Sequence, residues 1–106
     1  MDNLIVITTT SDDREELEKI AAHLVEQKLG ACCQISGPIS SWYTWEGKLE
    51  STQEWVCSIK TLESRFSEAE IAITALHHFD EPQIVAVDIC AASAGYENWV
   101  RQCVAD

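Results

Sequence analysis

The feature that most restricts this chain is a pair of alternating apolar runs joined by a reversal. From Cys33 to Trp45 the apolar positions Cys33, Ile35, Ile39, Tyr43 and Trp45 keep a period of two, and Trp55, Cys57 and Ile59 keep it on the way back. Between the runs, "WEGKLE" gives a tight reversal around Glu46 and Gly47, with Gly47 free to take a positive φ. Gly37 and Pro38 interrupt the first run, and proline within a strand marks an edge or a bulge. The result is a β-hairpin longer than a domain of 106 residues needs to cover its own core. The surplus has to pair with something, and a neighbouring copy of the chain is the economical partner.

The segments around this ribbon fall into a definite order. "LIVITTT", Leu4 to Thr10, is a short bounded apolar and β-branched run and predicts a buried strand. In "SDDREE", Asp12 with Glu15 or Asp13 with Glu16 fits a helix start. Leu17, Ile20, Ala21, Leu24, Val25 and Leu29 then recur on one helical face, with Gly30 as the expected residue just past the end. "TLESRF" predicts a second helix capped by Thr61, striped by Leu62, Phe66, Ala69, Ile73 and Leu76 and ended near Pro82. "QIVAVDI" predicts another buried strand. "ASAGYENWVRQCV" predicts a loop and a short helix with Trp99, Val100 and Cys103 inward. The order is β-α-β-β-α-β plus a terminal helix. That is the α+β, ferredoxin-like split β-α-β sandwich, as one domain over residues 1–106. Two helices on one face of an antiparallel sheet leave the other face bare, and a bare face wants a partner.

Charge and cysteine usage narrow the function classes. A net charge of −11 with no lysine or arginine cluster makes nucleic acid and anionic membrane poor partners. No stretch of about 20 apolar residues is present to span a bilayer, and the N-terminus lacks the pattern of a secretory signal. The five cysteines contain no C-x-x-C pair and sit mostly in apolar surroundings, which predicts buried free thiols in a reducing cytoplasm. No nucleophile, base and orienting acid can be placed together, so an enzyme is not expected.

"ALHHFDEP", Ala75 to Pro82, carries the clearest polar cluster. Adjacent residues on a helix stand ~100° apart, so His77 and His78 cannot chelate one ion while the helix continues; if it ends at His77, they can. The plain alternative is a helix-end histidine capping carbonyls. Further ligands would come from elsewhere in the fold. With the end of helix two near the start of strand two, Cys32 is a thiolate candidate, because thiolate and imidazole suit copper or zinc.

With these segments in hand, the chain resembles the CutA divalent-cation tolerance proteins over nearly its whole length. The resemblance rests on "TTTSDD", "LVEQKLGACC", "WEGKLE", "IKT" at Ile59 to Thr61, "LHHFDEPQIVAV" and "YENWV". It implies a ferredoxin-like fold assembled as a homotrimer whose hairpins cross subunit boundaries, and binding of copper or another divalent cation. It also implies an architecture like that of the trimeric PII-type signalling proteins, and no firmly attached enzymatic activity. The polar residues that match are Glu54, Lys60, His77 and Asp80, with Trp45 and Tyr96 as aromatic neighbours. They imply either an inter-subunit seam or a cleft that binds a small anion through Lys60. The chain departs from the family at His78, where proline is usual, and at Phe79, where tyrosine is usual. Thr8 to Thr10 occupy the region where some members carry a cysteine implicated in copper binding. Two functions follow as expectations: a cytosolic trimer that binds divalent metal and contributes to tolerance, or a trimeric signalling module that senses a small ligand in its inter-subunit clefts.

Overall fold

A computed structural model describes residues 2–106. The elements are β1 (Leu4–Ser11), α1 (Arg14–Glu26), β2 (Cys32–Trp45), β3 (Lys48–Leu62), a 3₁₀ turn at Glu63–Arg65, α2 (Phe66–Leu76), β4 (Ile84–Asp88) and α3 (Ala94–Cys103). The four strands form one sheet in the order β2-β3-β1-β4, and every neighbouring pair is antiparallel. This is the ferredoxin-like arrangement the sequence predicts.

Strand parity decides which side chains meet the helices. Ile5 and Ile7 of β1 and Cys57 and Ile59 of β3 point to one face and pack on Leu17, Ile20 and Leu24 of α1 and Ala69 and Ile73 of α2. The intervening positions, Val6, Thr8 and Thr10 on β1 and Val56, Ser58 and Lys60 on β3, face the other way. That second face is only partly covered. At one end α3 buries Val100 and Val104 against Leu4, Ala31 and Leu62. Beyond α3, Val85 and Val87 of the edge strand β4 remain 49% and 59% exposed. The expectation of a buried fourth strand is therefore corrected: a continuous apolar run looks buried on both faces, but this strand lies at the sheet edge.

The local signals act mostly as expected. Asp13 is the N-cap of α1, its carboxylate accepting from the backbone N–H of Glu15 at 3.0 Å and Glu16 at 3.3 Å. The reversal at Glu46 and Gly47 has φ of 51° and 76°, the two-residue hairpin turn whose twist matches its strands. The irregularity in β2 falls between Ser36 and Ile39, where Gly37 and Pro38 lie. Three boundaries differ, one of them the end of α2, which falls at Leu76 and not near Pro82. β3 continues through Leu62, so Thr61 is a buried strand residue and α2 begins only at Phe66. The α1 exit takes its positive φ at Lys28 (58°) and not at Gly30.

Gly30 is needed for space. A Cβ there would lie 2.8 Å from Cγ2 of Ile59, a fully buried side chain whose branched stem leaves it little freedom to move. Gly30→Ala should destabilise the fold by ~1–3 kcal/mol. Thermal unfolding checks this, with Gly95→Ala in α3 as the control: nothing lies within 4 Å of its added Cβ, and the helix should tolerate or welcome it.

The ribbon is as long as the sequence implies. β2 has 14 residues and β3 has 15, yet β1 pairs with β3 only from Trp55 to Leu62. From Lys48 to Glu54, β3 pairs only with β2, and this two-stranded arm stretches the molecule to 45 × 25 × 22 Å.

Candidate functional site

α2 stops at Leu76, and His77 has φ −85° and ψ 141°, an extended conformation. The condition that frees the two histidines from helical spacing is therefore met. The His77 side chain is fully buried, with Nε2 at 2.7 Å from the carbonyl oxygen of Thr10. A carbonyl only accepts, so the assigned tautomer carries its proton on Nε2. Nδ1 then holds a lone pair, which accepts the backbone N–H of Phe79 at 3.1 Å and lies 3.5 Å from Oε2 of Glu16.

Glu16 is the hub of this corner. Its carboxylate accepts from Ser11 Oγ at 2.8 Å and from the His78 backbone N–H at 2.9 Å, and it meets His78 Nδ1 at 2.7 Å. The other His78 nitrogen, Nε2, lies 3.0 Å from Oδ1 of Asp12. With a carboxylate on each side, the imidazolium is favoured: the Glu16 hydrogen bond raises the His78 pKa, burial opposes it, and the charges of Glu16, Asp12 and Asp13 add to the rise. Burial disfavours the Glu16 charge, but hydrogen bonds from Ser11 and His78, with the two histidines nearby, outweigh it and lower the Glu16 pKa. Phe79 packs on both rings, with centroids 4.7 Å from His77 and 4.5 Å from His78.

One ligand atom from each of Glu16, His77 and His78 lies within 4.8 Å of the other two. Ligands at ~2.0–2.2 Å from zinc or copper sit a little over 3 Å apart, so a small closure of these three groups suits a borderline divalent ion. The donor set is two imidazoles and a carboxylate, with no thiolate.

The residues singled out from sequence divide between two ends of the sheet. Cys32 pairs across the ladder with Lys60, and Lys60 pairs with Val6. His77 is anchored at Thr10, four residues further along β1, ~13 Å away. Cys32 and His77 therefore do not share a site within one chain, because β2 enters the sheet at the end opposite to the one where α2 leaves it. Lys60 donates to Gln34 Oε1 at 2.6 Å. Tyr96 belongs to the same end: burial raises its pKa, and Cys32 adds to this. Trp45, Glu54 and Asp80 lie at the other end, in a cleft of about 860 Å³ between the ribbon arm and the segment joining α2 to β4. His78 forms part of its wall. No lysine or arginine among the described residues lines it, so within one chain the anion-binding set built on Lys60 is not assembled.

Glu16 and Asp12 join this corner without a signal in the sequence. Both read from sequence as acids at a helix start, and Glu16 meets His78 across 62 residues of chain. Only the folded topology, with β1 ending beside the end of α2, brings them together.

The fold and the site together define a ferredoxin-like α+β protein with an imidazole–carboxylate cluster at the end of its first strand. The family model for the CutA1 divalent ion tolerance protein matches residues 5–103, and the chain belongs to this family. It is 38% identical over 104 residues to the divalent-cation tolerance protein CutA of Archaeoglobus fulgidus, covering 98% of this chain and 99% of that one. It is 36% identical over 97 residues to the chloroplastic protein CutA of Arabidopsis thaliana, covering 92% of this chain and 53% of that longer one. The solved structure described as the periplasmic divalent cation tolerance protein CutA from Archaeoglobus fulgidus superposes with a TM-score of 0.92 at 35% identity, covering 95% of this chain and 98% of the other. The family is described by ion tolerance and not by a reaction. No described helix is long and apolar enough to cross a membrane.

Proposed function

We propose that this chain is a cytoplasmic, homotrimeric divalent-metal-binding protein that contributes to metal tolerance, and that Glu16, His77 and His78 hold the ion. The observation that carries this reading is the convergence of three donor side chains; on taking up the ion His77 Nδ1 would give up the Phe79 N–H and His78 its proton. Imidazole and carboxylate donors suit copper(II) and zinc. The ion would supply a fixed positive charge to this corner of the fold; His77, anchored at Thr10, would hold its ring in place, and Glu16 would balance the charge.

Trimer formation is supported by the ribbon arm, which has no third strand in its own chain, and by the half-open sheet face. A cytoplasmic location is supported by the cysteines, all five of which are free thiols, although only Cys57 is buried as expected and Cys90 is exposed. A role in binding is supported by the anchoring of His77, whose Nε2 is engaged with a backbone carbonyl and so is not free to shuttle protons.

The test is cobalt(II) and zinc titration of the anaerobic protein with its thiols reduced. One ion per chain is expected, with a cobalt spectrum lacking the thiolate charge-transfer band. His78→Ala should weaken binding at least ~10-fold and Cys32→Ser should leave it unchanged. Unchanged affinity in both His77→Ala and His78→Ala would remove the site.

A further inference from the structure

Each of the three donors has one outer partner, and the three partners are consecutive in the chain. The carbonyl oxygen of Thr10 accepts from Nε2 of His77 at 2.7 Å. Ser11 Oγ donates to Oε2 of Glu16 at 2.8 Å. Oδ1 of Asp12 lies 3.0 Å from Nε2 of His78. The "TSD" within "TTTSDD" therefore meets the donor set residue by residue.

This run is itself held in place. Thr10 and Ser11 close the ladder of β1 with β3, opposite Val56 and Trp55. Ser11 Oγ accepts the backbone N–H of Asp13 at 3.0 Å, which leaves its own proton for Glu16. Asp13 in turn caps α1, the helix that carries Glu16. A strand end and a helix start thus lock together directly behind the donors.

The frame decides which nitrogen each ring offers. An imidazole can ligate through either nitrogen, and the hydrogen bond made by the other selects between them. Both rings give Nε2 to the frame and turn Nδ1 toward Oε2 of Glu16, at 3.5 Å for His77 and 2.7 Å for His78. For His77, whose side chain is fully buried, the anchor is a backbone carbonyl. For His78, half exposed and free to turn over, the anchor is the Asp12 side chain.

We infer that Thr10, Ser11 and Asp12 are the outer frame of the divalent-ion site, and that Asp12 is the positioning residue that makes His78 ligate through Nδ1. This rests on the reading of Glu16, His77 and His78 as the ligands and adds what aims them. On uptake of the ion, Nδ1 of His78 releases its proton to solvent, while Nε2 keeps its own and donates it to Asp12. The Asp12 carboxylate makes that imidazole a stronger ligand and adds a second negative charge, after Glu16, near the ion.

The test is zinc affinity together with long-range proton–nitrogen NMR of the histidine rings, on the full-length protein with its thiols reduced. In the native protein both rings should coordinate zinc through Nδ1, and in the metal-free protein His77 should carry its proton on Nε2. Asp12→Ala should weaken zinc at least ~10-fold and give a mixture of Nδ1 and Nε2 coordination at His78, with His77 unchanged. Asp12 is half exposed and is not the helix cap, so folding is not at stake. Asp12→Asn keeps an oxygen acceptor for the Nε2 proton; it should restore Nδ1 coordination and recover part of the affinity. Three results would overturn the frame and leave the ligands standing: native affinity in Asp12→Ala, coordination of His78 through Nε2 in the native protein, or equal losses in Asp12→Ala and Asp12→Asn with Nδ1 bound in both. The third would reduce Asp12 to a nearby charge. Native protein that takes up no zinc, or whose zinc is indifferent to His77→Ala and His78→Ala, would remove the ligand reading and the frame with it.

Discussion

Joining Ile39 directly to Glu54 through an Asn-Gly turn, so that Ser40 to Gln53 are removed, is expected to convert a three-chain assembly into folded single chains. Ile39 and Glu54 are partners across the ladder, so the cut leaves the register intact. It also leaves β1 with its whole pairing partner, since β3 meets β1 only from Trp55 onward. The core between the sheet and the two helices draws nothing from the deleted arm. What disappears is a two-stranded ribbon, which is marginal in water without a further strand or a packing surface. The arm also presents Trp42, Trp45 and Leu49, each more than half exposed in the single chain. Aromatic residues grouped in this way are typical of the centre of an interface. Sedimentation equilibrium should therefore give the mass of three chains for the intact protein and of one for the shortened protein, with native circular dichroism in both. Thermal stability should depend on protein concentration only in the intact protein. A shortened chain that stays trimeric would show that the open sheet face, with Val85 and Val87, holds the assembly without the arm. An intact chain that is monomeric at micromolar concentration would end the trimeric reading.

The same ribbon shows why some of this molecule can be read from its sequence. A period of two sustained through Ile35, Tyr43 and Trp45 and back through Trp55, Cys57 and Ile59, with a glycine at the turn, admits little besides a hairpin. The start of α2 was less legible because two local signals compete there. "TLESRF" has the form of a capped helix start, but Leu62 pairs with Leu4 and is buried beneath α3, and that long-range contact holds the chain in the strand. β4 misleads for the opposite reason. "QIVAVDI" is apolar throughout, and the surface it is apolar for is not supplied by its own chain. At the site, His77 stands out through its place after a helical stripe. Glu16 does not, because a glutamate in the first turn of a helix already has a sufficient local explanation. Cys32 and His77 suit one ion by their chemistry, but the strand register, which the sequence does not display, holds them apart.

Glu16→Gln should have the largest effect at the metal corner, and it should act in two measurable ways. A glutamine keeps the shape but supplies an amide oxygen in place of a charged ligand. Losses in outer-shell partners already cost ~10–100-fold in affinity, so the loss of a direct carboxylate should cost ~100-fold or more in divalent-ion titrations. Without metal, the variant also weakens the anchors between α1 and the end of α2, the contacts from Ser11 Oγ and from both nitrogen donors of His78. With His78 half exposed and partly screened, ~1–3 kcal/mol is the expected loss. The pH dependence gives this its signature. The Glu16 pKa is lowered on folding, so its contribution is present above its ordinary value of 4.5 and fades as pH falls through the folded value. The His78 pKa is raised, so its contribution is full below its ordinary value of 6.5 and fades as pH rises through the folded value. The stability gap between the native protein and Glu16→Gln, measured by urea unfolding with chelator present, should therefore be widest between about pH 4.5 and 6.5 and narrow on both sides. By NMR, His78 should titrate closer to its ordinary value in the variant. A gap that does not change with pH, with an unmoved His78 titration, would mean that Glu16 holds this corner together by its shape and its bonds to Ser11, and that its charge is spare. In that case the pair would lose its claim to a cation.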